Sequence, residues 1–218
     1  MNDFSKKTLV FLGDSITEGA GASRNELAYV NLVSKKLNCK VINNGIGGTR
    51  IARQTNKSKD PTYDNHFITR VSNEKEGDFI FVFGGTNDYG HGDAPMGKPA
   101  SKDDLTFFGA INQLIDRLCA VYSKENICFI LPIPRFQDES VHGEGAKKSA
   151  LYSLAEYVET EKTALSKRGI DYLDIRDKFI KPDTVLPSTH FADGIHPNDE
   201  GHSIIADSIC KYLELKFK

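Results

Sequence analysis

Five consecutive apolar residues, Phe79-Ile80-Phe81-Val82-Phe83, constrain this chain more than any other stretch. A strand with one wet face alternates apolar and polar side chains. An unbroken run needs cover on both faces, which a parallel sheet flanked by helices supplies. Leu9-Val10-Phe11-Leu12 has the same character, and shorter runs occur at Lys40-Val41-Ile42-Asn43, over 127–132 and over 170–174. Between them lie segments with helical spacing. Residues 25–37 carry Leu27, Val30, Val33 and Leu37, and 105–122 carry Phe108, Ile111, Leu114, Ile115 and Leu118 on one side. Two more helices are expected over 146–167, closed by Gly169, and over 199–215. Residues 50–76 are polar and mixed, and are expected to hold a helix followed by irregular chain. Alternating strands and helices predict an α/β fold, a doubly wound parallel sheet with helices on both faces. The 218 residues suit one such domain, without repeats or a linker.

Charge and cysteine usage narrow the function. Formal net charge is −2, and the lysines are scattered, so no basic field recruits nucleic acid or an anionic membrane. Cys39, Cys119, Cys128 and Cys210 show no Cys-x-x-Cys spacing and lie in or beside apolar segments. They are expected to be buried free thiols in a reducing compartment rather than a zinc site. No run is long enough to span a bilayer, and residues 1–7 hold no apolar leader. The expectation is a cytoplasmic chain without membrane insertion, unless a leader was removed.

Chemistry-bearing residues recur just beyond strands, where open α/β sheets bind ligands. The first strand ends in Gly13-Asp14-Ser15. The second runs into Gly45-Ile46-Gly47-Gly48-Thr49, whose glycines imply unusual backbone angles or close approach to a ligand. The third ends in Gly84-Gly85-Thr86-Asn87-Asp88, and Asp193-Gly194-Ile195-His196-Pro197 precedes the last helix. A serine hydroxyl attacks an ester only when a histidine takes its proton. That histidine needs a carboxylate to hold its tautomer, and the tetrahedral oxyanion needs preorganised donors. Ser15, His196 and Asp193 offer the first set; the Ser15 and Gly48 N–H groups and the Asn87 amide offer the second. Singly, each has an ordinary explanation: turn residues, a strain-relieving glycine, a histidine leading into a capped helix. Jointly they describe a hydrolase.

Taken together these four blocks, in this order, resemble the SGNH (GDSL-type) hydrolase family over nearly the whole chain. The resemblance implies a flavodoxin-like three-layer sandwich with a five-stranded parallel sheet. It implies Ser15 as nucleophile, His196 as base oriented by Asp193, and Ser15, Gly48 and Asn87 as the oxyanion hole. Gly48 matches the family's glycine better than Gly47 does, and Thr49 stands where the family often has aspartate. The Gly-x-Ser-x-Gly elbow of the other large α/β esterase class is missing.

The implied function is a serine esterase needing no cofactor or metal and acting on a small ester, with a rate that rises as His196 loses its proton. The loops 89–103 and 135–145 are polar and glycine-rich, unlike a lipase lid. This favours short acyl, foremost acetyl, esters, with carbohydrate esters as candidates, over lysophospholipase or thioesterase activity. Asp14, Asp88, Tyr89 and Arg135 are the candidate substrate contacts, with Phe136 beside them. His91 and His142 lie in loops that border the expected pocket, while His66, His190 and His202 read as surface or loop residues. Three rivals remain. A metal-dependent phosphoesterase would use Asp14, Asp88, Asp193 and His196. A nucleotide-binding module would need a phosphate-loop pattern that is absent. A non-catalytic carbohydrate-binding relative would not need every catalytic position intact.

Overall fold

All five strands of the computed structural model run parallel in one sheet, which is described together with its surroundings over residues 3–144 and 152–217. They are β1 (Thr8–Gly13), β2 (Lys40–Gly45), β3 (Phe79–Phe83), β4 (Ile127–Ile130) and β5 (Asp171–Leu173). The order is β2-β1-β3-β4-β5, the flavodoxin-like arrangement. The helices are α1 (Ser15–Glu18), α2 (Tyr29–Leu37), α3 (Thr86–His91), α4 (Phe107–Cys119), α5 (Leu154–Arg168) and α6 (Asp199–Lys216).

Successive strand residues point to opposite faces. Val10, Leu12, Ile80, Val82 and Phe129 therefore pack against α4 and α5, while Leu9, Phe11, Phe79, Phe81 and Phe83 pack against α2 and α6. That double cover is what the unbroken apolar runs demanded. Each buried phenylalanine contributes about 1.5–3 kcal/mol relative to exposure, and Phe11 stacks on Phe81 with ring centroids 5.3 Å apart. From β1 the order runs to β2 on one side and to β3 on the other. The carboxyl ends of β1 and β3 thus flank the crevice where such sheets bind ligands.

Several elements differ from expectation. The helix expected over 25–37 opens as a 3-10 turn, Asn25–Leu27, and restarts at Tyr29 because Ala28 is extended. Residues 50–76 hold no α-helix, only the 3-10 turns Pro61–Asp64 and Phe67–Arg70. Here backbone N–H groups of Ile51, Ala52, Thr55 and Asn56 go to the carboxylates of Asp88 and Asp93 instead of to carbonyls one turn back. Helix α5 starts at Leu154, where Ser153 and Glu156 form a capping box; residues 145–151 of the expected loop and helix lie outside the described residues. Asp14-Ser15 leads into a short helix, α1, that no apolar periodicity marked. Cys39, Cys128 and Cys210 are buried and Cys119 half-buried, all four as free thiols. Among the described residues no helix is long and apolar enough to cross a membrane.

Candidate active site

Ser15 is carried just past the end of β1 by a turn that leaves no room for a side chain at Gly13. A Cβ on Gly13 would lie 1.9 Å from the Thr17 hydroxyl oxygen and 2.9 Å from the Phe83 carbonyl. Asp14 caps α1, accepting from the Ile16 N–H at 3.0 Å. Ser15 follows as the first helical residue, where an N–H has no carbonyl one turn back to bond.

The opposite side of the site is brought in from the far end of the chain. His202, on α6, accepts from the Tyr29 N–H at 3.2 Å and donates to the Ala20 carbonyl at 3.1 Å. Burial holds its imidazole below the usual range, consistent with a neutral ring that accepts on one nitrogen and donates from the other. Asp199 takes the N–H and hydroxyl of Ser23, both at 2.7 Å. These bonds tie the loop after α1 to the start of α6. The turn before α6 closes through the Ala192 N–H on the His196 carbonyl, and Asp193 Oδ1 accepts from the N–H groups of Ile195 and His196 at 3.0 and 2.8 Å. As a result His196 Nε2 lies 2.9 Å from Ser15 Oγ, and His196 Nδ1 lies 2.7 Å from Asp193 Oδ2. Burial pushes the Asp193 carboxyl up. The hydrogen bonds from the His196 backbone, the His196 ring and the Ile195 N–H outweigh it and hold the carboxyl below the ordinary range.

The glycine loop after β2 closes a third side. The Gly47 N–H is engaged by Glu18 Oε2 at 2.9 Å, whereas among the described residues no acceptor holds the Gly48 N–H. Gly48 has φ +73°, and a Cβ there would come 2.6 Å from the Tyr63 ring, so the position excludes side chains twice over. Thr49 donates its hydroxyl to the Ile46 carbonyl and accepts from Arg70, which also bonds the carbonyls of Gly13 and Asn44. Asn87, after β3, donates one amide hydrogen to the Thr49 carbonyl at 3.0 Å. Its Oδ1 faces His91 Nε2 at 3.2 Å.

Ser15, Gly48, Asn87 and His196 share the wall of one cleft of about 490 Å³, with Tyr63, His91, Glu144 and Ile195 around them. A groove of about 530 Å³ between β5 and α6 is larger, but among the described residues no histidine lines it, and its Ser208 accepts from Lys178 Nζ at 2.7 Å. That hydroxyl donates to the Ile204 carbonyl of its own helix.

The four expected substrate contacts are not on the cleft wall. Asp14 is buried, and burial pushes its carboxyl up to about 7 against the lowering pull of the Ile16 N–H, His196 and Arg70. Asp88 is buried with its oxygens on the Ile51 and Ala52 N–H groups, both at 2.9 Å, where it pins the chain beyond the glycine loop to the end of β3. Tyr89 turns its ring into the core and its hydroxyl to the carbonyls of Gln137 and Ser140. Arg135 is buried too, bonding the Thr86 carbonyl at 3.1 Å and Glu144 Oε1 at 2.9 Å, and so holds Glu144 at the rim. A metal centre required Asp14 and Asp88 to converge with Asp193 and His196. Both instead accept from backbone, and among the described residues no three His, Cys, Asp or Glu side chains gather as a metal site.

His66, His190 and His202, expected as surface or loop residues, are buried, the first two in loops and His202 within α6; His142 is exposed and His91 lines the cleft. Tyr63 and Glu144 were missed as residues of the cleft wall. Tyr63 falls in the polar 50–76 stretch, which has no periodicity to mark it. Glu144 sits in a loop whose side-chain directions only tertiary contacts decide.

A family model, GDSL-like lipase/acylhydrolase, matches residues 11–204. Among solved structures, a protein from Lactobacillus plantarum is 26% identical, with a TM-score of 0.74 and 96% of this chain and 97% of that chain covered. A protein from Chitinophaga pinensis described as a possible lipase is 21% identical, with a TM-score of 0.66 and coverage of 96% and 98%. A carbohydrate acetylesterase from Sinorhizobium meliloti is 14% identical, with a TM-score of 0.66 and coverage of 96% and 99%. None of the curated proteins compared matches the chain.

Proposed function

The chain belongs to the GDSL-like lipase/acylhydrolase family, and from that premise we propose that it is a serine esterase hydrolysing short acyl, foremost acetyl, esters through an acyl-enzyme. The observation that carries this reading is the continuous chain Asp193–His196–Ser15, with heavy-atom separations of 2.7 and 2.9 Å. Asp193 accepts a hydrogen bond from the Nδ1 N–H, which leaves the Nε2 lone pair facing the serine hydroxyl. His196 takes the Ser15 proton as Oγ attacks the ester carbonyl. The N–H groups of Ser15 and Gly48 and the free hydrogen of the Asn87 amide then receive the oxyanion. Each such donor is worth roughly 3–4 kcal/mol of transition-state stabilisation. His196 protonates the departing alcohol, and water, activated by the same imidazole, releases the acid. Asp193 at half exposure and His196 at the cleft wall are reachable by that water.

Short neutral esters are favoured over lysophospholipids and coenzyme A thioesters by the charge of the cleft. Among the described residues no lysine or arginine lines it, and its rim carries the Glu144 carboxylate, paired from behind by the buried Arg135. Phosphate-bearing leaving groups would find no cation to pair with among the described residues of that wall. Tyr63 offers a flat apolar ring and Glu144 an acceptor, partners suited to a hydroxyl-rich alcohol. This agrees with carbohydrate esters, the substrates in the description of the Sinorhizobium meliloti neighbour. A panel of p-nitrophenyl acetate, butyrate and longer esters beside acetylated sugars, with Ser15→Ala as control, tests the reading. Short-chain turnover should vanish in the variant, and an organophosphate should label Ser15. Strong preference for long acyl chains, or turnover untouched by Ser15→Ala, would overturn it.

A further inference from the structure

Behind Asn87 the donors and acceptors run in one direction, from a buried arginine to the cleft. The Arg50 side chain, on a residue only 6% exposed, directs Nε and Nη2 at His91 Nδ1, at 3.2 and 2.9 Å. A guanidinium can only donate. His91 Nδ1 must therefore accept, which places the ring proton on Nε2. That nitrogen is 3.2 Å from Asn87 Oδ1, one helical turn back on α3. The amide oxygen is thereby committed to His91, and Nδ2 is turned the other way, with one hydrogen on the Thr49 carbonyl and one left for the cleft. Reversing the amide would set its NH2 against the His91 N–H and its oxygen against the Thr49 carbonyl, two mismatches at once.

We propose that His91 and Arg50 are positioning residues for the oxyanion hole: their donor chain locks the Asn87 carboxamide with its N–H toward the reacting carbonyl. The inference rests on the esterase reading and adds two residues that touch Asn87 directly or through one ring. Without His91 the amide can rotate, and part of the population presents its oxygen to a developing negative charge. The loss falls on the transition state, because the ground-state carbonyl carries little charge to be repelled.

A double-mutant cycle between positions 91 and 87 tests this, with p-nitrophenyl acetate turnover as the readout and thermal unfolding as a check on folding. His91→Leu should lower kcat about 10- to 100-fold, less than outright removal of the donor in Asn87→Ala, and leave KM within about twofold. In the Asn87→Ala background the same His91→Leu change should cost less than about twofold, since its target is gone. His91→Gln, which keeps an acceptor for Arg50 and a donor for Asn87, should recover most of the activity. Arg50→Lys supplies a second route should His91→Leu fail to fold, with a smaller kcat loss that also disappears in Asn87→Ala. Additive losses in either cycle, an effect confined to KM, or a glutamine no better than leucine would overturn the proposal. Wild-type protein inactive on every ester would remove the esterase reading as well. Turnover that depends on Ser15 and Asn87, yet adds independently with changes at 91, removes this inference alone.

Discussion

Replacing Asp193 with asparagine separates the orienting role of its carboxylate from its structural one. Oδ1 accepts from the Ile195 and His196 N–H groups at 3.0 and 2.8 Å, and Oδ2 faces His196 Nδ1 at 2.7 Å. In Asp193→Asn the two backbone donors still need an acceptor, so the carboxamide oxygen keeps the Oδ1 place and the NH2 group turns to the ring. Nδ1 must then accept, the ring proton moves to Nε2, and the lone pair that should take the Ser15 proton is lost. In Ser-His-Asp sites this tautomer switch costs about 10⁴ in kcat, close to 5 kcal/mol of barrier. The turn keeps both backbone bonds and exchanges one hydrogen bond for another, so stability should change by less than about 1 kcal/mol. Steady-state turnover of p-nitrophenyl acetate, beside a thermal melt, reads the two quantities separately. A folded Asp193→Asn protein within about tenfold of wild type would refute the orientation reasoning, because the structure leaves its amide no other way to face.

Other substitutions probe the surroundings. Gly48→Ala forces a side chain into φ +73° and against the Tyr63 ring; strain alone should cost about 1–3 kcal/mol in a melt. Adding Tyr63→Ala should relieve only the steric part. Glu161 is buried with neither carboxyl oxygen bonded among the described residues, and burial, then the charges of Asp88 and Asp14, pushes its carboxyl well above the ordinary range. The folded state thus keeps a proton that the unfolded chain releases, and stability must fall as pH rises above the ordinary glutamate range. Glu161→Gln removes that slope, so its melting temperature should gain on wild type between about pH 5 and about pH 8. A constant gap would refute it. Asp14, raised to about 7, adds the same sign of dependence up to that pH. Glu144→Gln, by removing the rim charge, should raise kcat/KM for an anionic ester about two- to fivefold relative to a neutral one. Equal changes for both esters would argue against charge selection.

Local chemistry was legible wherever a residue's neighbours in sequence are also its partners. The apolar runs of β1 and β3 announced burial on both faces. The spacing Asp193-x-x-His196 permits a bond made within one turn. Convergence belonged to the tertiary structure. Ser15 meets His196 only because His202 and Asp199 lash the loop after α1 to the start of α6. A carboxylate just past a strand reads the same in sequence whether it faces a ligand or its own backbone. That is why Asp14 and Asp88 were assigned to substrate and were found holding N–H groups instead. The direction of the Asn87 amide was still less accessible, being set by a proton on His91 that Arg50 decides from 41 residues away in the chain. Sequence determines which groups can bond and how strands and helices alternate. Which of the competing partners each buried polar atom takes is settled only when the whole chain closes around it, since an unpaired one costs as much as many of the contacts that hold the fold.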